Sequence, residues 1–247
     1  MASARIARLL SSSAVTAESN LLEFELADGL PLGFVGGQYI IVNTGLPLPG
    51  GKVAKRAYSI LSRDEEQARF SIAVRRIGSG PGSNYMTGLK AGAEVPFSGP
   101  WGQYLPDDSR VRASTIIFAT DTGITAALGL LQGLKFKPQL AGAQVVWFVE
   151  SDAYFLPESF VLKVIPSGCG SFRIQRAPVI GHPERLAVAR GAIRTMLNKG
   201  CPESAFLSGD GALLYALKDE LIAEGVGEGA VRIETFFNHL IRKASAI

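Results

Sequence analysis

Apolar and polar positions along this chain follow two rhythms, and the change falls just before its middle. In the first part, short β-like runs at 21–26, 39–43, 57–61, 70–77 and 95–98 are separated by Gly, Pro, Asn and Asp. Short strands at this spacing indicate an antiparallel barrel or sandwich. The opening residues, 1–17, carry Arg5 and Arg8 before a Leu-Leu-Ser-Ser-Ser run whose apolar stretch is too short for a signal-peptide core. Alternation that resumes at Leu22, Phe24 and Leu26 makes this segment a strand entering the first sheet. From Ser114 onward, apolar runs at 115–120, 145–149, 172–175, 205–207 and 231–233 read as buried parallel strands, and 124–134, 183–198 and 212–223 carry helical periodicity between them. Such alternation makes an open, doubly wound sheet whose ligand crevice lies beyond the carboxyl ends of its strands.

The predicted fold is therefore an antiparallel β-barrel domain, 1–108, joined to an α/β domain with a doubly wound parallel sheet, 109–247. The boundary falls in the polar segment Pro106-Asp107-Asp108-Ser109. No internal repeat or low-complexity tract interrupts either part.

Composition narrows the function classes. The 247 residues carry a net charge of +3, and 19% are charged, against about 25% in ordinary soluble domains. A nucleic-acid partner held by a basic surface is disfavoured. Cys169 and Cys201 are the only cysteines, which excludes a disulfide framework, a zinc ribbon and an iron-sulfur cluster held by this chain's own thiolates. His182 and His239 lack metal-ligand spacing, so no metal site is expected. The most apolar window, 116–134, is interrupted by Asp121 and Gly123, so no membrane span is expected and the protein is placed in the cytoplasm.

In the barrel half, Arg56-Ala57-Tyr58-Ser59 lies on a predicted strand, which sends Arg56 and Tyr58 to one face and Ala57 and Ser59 to the other. An aromatic beside a cation suits a planar ring with a phosphate tail, although a barrel wall would also account for the pair. Gly80 and Gly82, ahead of Ser83 and Asn84, let backbone amides approach an anion where a short helix starts. In the sheet half, a strand runs into Asp121-Thr122-Gly123-Ile124-Thr125 and then a helix, which places a tight turn at a helix N-terminus and suits a pyrophosphate.

With these motifs the chain resembles the ferredoxin-NADP reductase superfamily, whose barrel domain bears Arg-x-Tyr-Ser, Gly-x-x-Ser-x-x-Leu and Gly-Pro-x-Gly in that order. Here these are 56–59, 80–86 and 99–102. The resemblance implies FAD, with Tyr58 stacked on the isoalloxazine, Ser59 near its N5, Arg56 and Ser83 on the pyrophosphate, and Ala73 and Val74 on the strand along the flavin tail. It implies NADPH or NADH as co-substrate, bound by Thr122, Gly123, Ile124 and Thr125 and by Gly209 and Asp210. It also implies a separate electron-acceptor protein: a ferredoxin, a flavodoxin or an oxygenase component. Ser208 stands where the family has a cysteine beside the nicotinamide, and Glu234 and Phe236 match a carboxylate and a flavin-shielding aromatic. Packing alone would account equally well for Phe236 and Phe237. Residues 238–247 extend the chain and are expected to cover the adenine side of the flavin.

The departures are specific. Asp121 replaces the family's first Gly, and an aspartate about 4 Å from a phosphate is repelled by about 1 kcal/mol in water and about 4 kcal/mol at an effective dielectric of 20. Either Asp121 turns away and caps the helix, or nucleotide binding is weakened. Asp210 replaces a Pro, and Ser208 brings a less polarizable atom than sulfur. Glu150, placed to accept from ribose hydroxyls, favours NADH, whereas Arg173 and Arg176, placed to pair with a 2′-phosphate, favour NADPH, to which the balance leans slightly, although simple surface charges would account for all three equally well. Two other roles fit the same residues: an electron-transfer subunit of a larger complex, or a non-catalytic module with a decayed nucleotide site.

Overall fold

The computed structural model describes residues 4–78, 80–107, 110–152, 154–198 and 200–237, with the backbone alone at Phe237. The first half forms an antiparallel sheet of β1 (Arg5–Ala14), β2 (Ser19–Leu26), β3 (Tyr39–Leu48), β4 (Lys52–Ser59), β5 (Arg69–Arg75) and β6 (Glu94–Trp101), in the order β4-β3-β6-β1-β2-β5. Its two edges meet where the Leu61 amide donates to the Ser71 carbonyl at 2.8 Å and the Ser71 amide donates to Ser62 Oγ at 3.1 Å, so the sheet curls into a barrel. Inward alternation of Leu22, Phe24, Ile40, Val42, Phe70, Ile72 and Phe97 fills it. A short helix, α1 (Pro81–Gly88), packs on this core through the fully buried Met86.

The second half is a parallel sheet in the order β11-β10-β7-β8-β9, from β7 (Thr115–Thr120), β8 (Ala143–Val149), β9 (Ser171–Arg176), β10 (Ser204–Asp210) and β11 (Val231–Phe237). Helices α2 (Ile124–Gln132), α3 (Glu158–Val164), α4 (Arg185–Leu197) and α5 (Gly211–Ala223) connect the strands and cover both faces. The order reverses at the central β7, so a crevice opens beyond the carboxyl ends of β10, β7 and β8.

The two halves share one core. Leu61, Ala73 and Tyr104 from the barrel side join the cluster built on α2, Trp147 and Phe206. Helix α2 is apolar all round because it lies between sheet and barrel. At Gly129 a Cβ would overlap the Ile60 carbonyl, so only glycine allows this approach. The Asp64 carboxylate clasps the joint, accepting from the Gly36 and Leu134 amides at 3.0 and 2.9 Å.

Several boundaries differ from the pattern-based expectation. The strand expected at 57–61 starts at Lys52 and ends at Ser59, because the long β3–β4 hairpin continues through Lys52, Val53 and Lys55, which pair with β3 while exposed. The run at 70–77 ends at Arg75. Helix α3 was not expected. It is about two turns long, follows Pro157, and buries only Val161. Among the described residues, no helix is long and apolar enough to cross a membrane.

Candidate functional site

On the barrel wall, the end of β4 leaves main-chain groups of β5 uncovered. The N–H and C=O of Ser71 are taken by Ser62 and Leu61, so alternation turns those of Ala73 and Arg75 to the same edge, which forms no ladder with β4 among the described residues. Ala73 packs toward the sheet half, whereas the Val74 side chain points into the barrel, so Val74 offers a ligand only its backbone. Tyr58 is half-buried on the barrel core, and burial pushes its hydroxyl up to about 12, which keeps it protonated. Ser59 is buried and stands opposite Tyr39 in the ladder. Ala57 is exposed.

At the start of α1, Pro81 follows Gly80, and the next amides, of Gly82 and Ser83, have no carbonyl within the helix to pair with. Arg56 lies against them: a Cβ at Gly82 would meet its Cγ at 2.7 Å. The Ser83 hydroxyl accepts from the Ile77 amide and donates to the Gly80 carbonyl, both at 3.0 Å, and Asn84 Nδ2 donates to the Gly78 carbonyl at 3.0 Å. Both side chains therefore shape the turn, and what they leave for an anion is the backbone. Unpaired main-chain groups along β5, two free amides, a glycine cradle and a guanidinium fit a planar heteroaromatic ring with a diphosphate tail, as FAD has.

On the sheet wall, β7 runs into a turn at Asp121–Gly123, and α2 begins at Ile124 with Thr125 Oγ1 donating to the Thr122 carbonyl at 2.9 Å. Asp121 has φ +46°, the region where its family counterpart glycine is at ease. Its carboxylate does not cap α2, which corrects that expectation; it accepts from Arg185 Nη2 at 3.3 Å. Burial, and then the Glu150 charge, push it up to about 6 against the opposing pull of Arg185. Glu150 accepts from the Ile180 amide at 2.8 Å and pairs with Arg185 Nη1 at 3.2 Å, so the carboxylate expected to face a ribose is already engaged. Asp210, 4% exposed, caps α5 by accepting from the Ala212 amide at 3.2 Å, and its other oxygen lies 3.5 Å from Arg185 Nε. Arg173 donates to the Ala192 carbonyl at 2.9 Å and is structural, contrary to expectation, whereas Arg176 is exposed at the end of β9 and pairs with Asp152.

Ser208 is fully buried. Its hydroxyl donates to the Gly123 carbonyl at 2.9 Å and accepts from Tyr104 Oη at 3.3 Å, so it braces the turn at α2 from below rather than lining the crevice surface. Burial raises the Tyr104 hydroxyl far above its ordinary value. Gly209 has φ +121°, and a Cβ there would overlap Thr120 Oγ1, which receives the Asp210 amide at 2.8 Å. Next to Ser208 in the ladder stands Glu234, whose carboxylate reaches the barrel: its Oε2 is 3.3 Å from where a Cβ on Gly102 would be, beside the Tyr39 ring. Desolvation pushes Glu234 up to about 7. Phe236, on the same face two residues on, is partly buried against the shared core. The Phe237 side chain and residues 238–247 lie outside the described residues.

Arg75 from the barrel and Asp121, Trp147, Glu150 and Tyr154 from the sheet line one cavity, so the two walls belong to a single crevice. Sequence reasoning missed Tyr39, Tyr104 and Arg185. Each is an isolated residue whose partners lie far along the chain, and no local pattern marks them. Among the described residues no cluster suited to a metal ion occurs.

Comparison with known proteins bears on this geometry. A family described as oxidoreductase FAD-binding domain matches residues 7–105. The chain is 34% identical over 196 residues to ferredoxin-NADP reductase B of Sorangium cellulosum, covering 77% of this chain and 76% of that protein. It is 32% identical over 108 residues to NADH-cytochrome b5 reductase 1 of Pyricularia oryzae, where the match spans 43% of this chain and only 33% of the relative. The flavohem-like FAD/NAD-binding domain of nitric oxide dioxygenase from Vibrio cholerae superposes with a TM-score of 0.69 at 16% identity, covering 95% of this chain and 98% of that one, which shows a shared fold.

Proposed function

Because this chain belongs to the ferredoxin-NADP reductase family of FAD-dependent oxidoreductases, we propose that it moves electrons between NAD(P)H and a separate acceptor protein: a ferredoxin, a flavodoxin or an oxygenase component. The observation that carries this reading is the single crevice in which the open β5 edge of the barrel faces the carboxyl ends of β7 and β8. FAD, when bound, supplies the chemistry: it takes a hydride from reduced nicotinamide and releases electrons singly or as a pair.

The chain's own residues bind, orient and shield. Arg56 and the amides of Gly82 and Ser83 hold the diphosphate, with Gly80 and Asn84 shaping their turn. Tyr58 covers the ring, Ser59 donates toward its reactive edge, and the main chain at Ala73 and Val74 follows the cofactor. Thr122, Gly123, Ile124 and Thr125 form the turn that opens α2 toward the coenzyme, the Ile124 amide itself being taken by the Asp121 and Thr122 carbonyls, with Gly209 and Asp210 flanking them. Arg176, exposed at the end of β9, is the group for a 2′-phosphate, and NADPH is the first choice over NADH. Glu234 holds or releases a proton near neutrality in the crevice. Phe236 covers the place the nicotinamide takes and withdraws to admit it, while the Phe237 side chain, also assigned to the cofactor, lies outside the described residues. The two functional units are 1–108 and 109–247, a division that falls outside the described residues.

Anaerobic addition of NADPH, and separately of NADH, to the FAD-loaded protein tests this reading. Bleaching of the flavin absorbance by at least one of them is expected, with an inflection near pH 7 in the reduction rate that Glu234→Gln removes. A protein that retains FAD yet is bleached by neither coenzyme would instead be a binding module with a decayed nucleotide site, a role favoured by the engagement of Asp121, Glu150 and Asp210 with Arg185.

A further inference from the structure

The sheet wall carries charge that the reaction does not require. Asp121, Glu150 and Asp210 lie at the ends of three adjacent strands, and their carboxylates meet one guanidinium, Arg185, at 3.3, 3.2 and 3.5 Å. Arg185 is 4% exposed, lies 5.5 Å over the Phe148 ring, and also donates from Nη1 to the Pro178 carbonyl. Its Nε is buried without a hydrogen bond, because Asp210 at 3.5 Å is near enough to attract it but not to bond. One positive charge thus faces three negative ones, at the place where a coenzyme brings a diphosphate.

We propose that a pyridine nucleotide binds this crevice together with one proton, which the Asp121 carboxylate takes up. The proposal rests on the reading of the crevice as the coenzyme site. Asp121 is the group for this role because it stands in the turn that opens α2, nearest the amides that hold the diphosphate. The charged and titratable groups around it are Glu150 from β8, Arg185 from α4, Asp210 from β10 through Arg185, and Arg75 and Tyr154 across the shared cavity. His182 accepts from the Glu184 amide within its own loop. Burial and the Glu150 charge already hold the Asp121 carboxyl at about 6, and an incoming diphosphate pushes it further in the same direction.

The sign follows. Above about pH 6 the free protein has Asp121 ionised while the complex has it protonated, so affinity falls as pH rises, by up to about tenfold per pH unit. Below that value both states are protonated and the dependence flattens. This is measured by calorimetric titration of the oxidised, FAD-loaded protein with NADP⁺ and with NAD⁺, in two buffers of different ionisation enthalpy. Near pH 7.5 the heats are expected to differ between buffers by the equivalent of about one proton taken up per nucleotide. Asp121→Asn keeps the side-chain size and tolerates the left-handed backbone; it should take up no proton and bind about tenfold or more tightly than the parent at about pH 8. Glu150→Gln should retain the uptake. Binding without proton uptake, uptake that persists in Asp121→Asn, or uptake lost in Glu150→Gln overturns the proposal and leaves the proposed function standing. No binding of either nucleotide overturns both.

Discussion

The barrel wall of the crevice offers main-chain amides along β5 and at the start of α1, together with Arg56, which has no carboxylate partner among the described residues. The sheet wall offers the same kind of helix N-terminus at α2, but its charged side chains are occupied with one another: Asp121, Glu150 and Asp210 all meet Arg185. A ligand that enters the barrel wall finds donors waiting. One that enters the sheet wall must join a cluster in which acids already outnumber the base. Under the proposed function, the difference places adjustment on the coenzyme side, with the flavin side as the fixed part.

The largest expected effect breaks the comparison at its centre. Arg185→Met leaves three carboxylates around an apolar side chain that is almost fully buried. Removing one partner of a buried ion pair costs about 3–5 kcal/mol, which for a chain of this size lowers the unfolding temperature by about 10 °C. Thermal unfolding checks it, and adding Asp121→Asn to the same protein should recover part of the loss. An unchanged unfolding temperature would mean that the carboxylates do not depend on Arg185, and the contrast between the walls would dissolve.

The architecture was legible where local pattern and burial agree. The run at 115–120 is buried at every position, as a central parallel strand requires, and 211–223 combines helical periodicity with a capping Asp210. Legibility failed where structure depends on distant residues. Lys52, Val53 and Lys55 fell outside the predicted strand because their pairing with β3 leaves them exposed. Ser208 sits at the family's cysteine position, yet Tyr104, 104 positions earlier, and the Gly123 carbonyl hold its hydroxyl below the crevice. The Asp121 carboxylate was expected to cap α2, but a guanidinium 64 positions on takes it. In a sequence, a salt-bridge hub is four unrelated letters.

An intermediate effect separates the walls by their glycines. Gly209→Ala combines a left-handed backbone with overlap onto Thr120, whose side chain and carbonyl are fixed within the sheet. Neither can yield, and a loss on the order of 3 kcal/mol is expected, seen in denaturant unfolding. Gly82→Ala meets only the flexible stem of Arg56. Its stability should change by less than about 1 kcal/mol, while FAD is released several times more readily because the guanidinium is displaced. Equal stability losses in the two variants would show that the barrel cradle is as rigid as the sheet turn.

The smallest effect concerns Tyr104, which reaches from the barrel side into the sheet wall. Its hydrogen bond to Ser208 is 3.3 Å, long for two hydroxyls. Ser208 keeps its 2.9 Å bond to the Gly123 carbonyl when Tyr104 becomes Phe. Tyr104→Phe should therefore cost less than about 1 kcal/mol and leave the coenzyme KM within a factor of about three. Ser208→Ala removes the donor to Gly123 and strands the Tyr104 hydroxyl in a fully buried place, so it should cost more, about 1–3 kcal/mol, and raise KM further as the turn loosens. If Tyr104→Phe proves the more damaging of the two, the turn at α2 is held from the barrel through Tyr104. The sheet wall would then owe its shape to its neighbour as much as to its own strands.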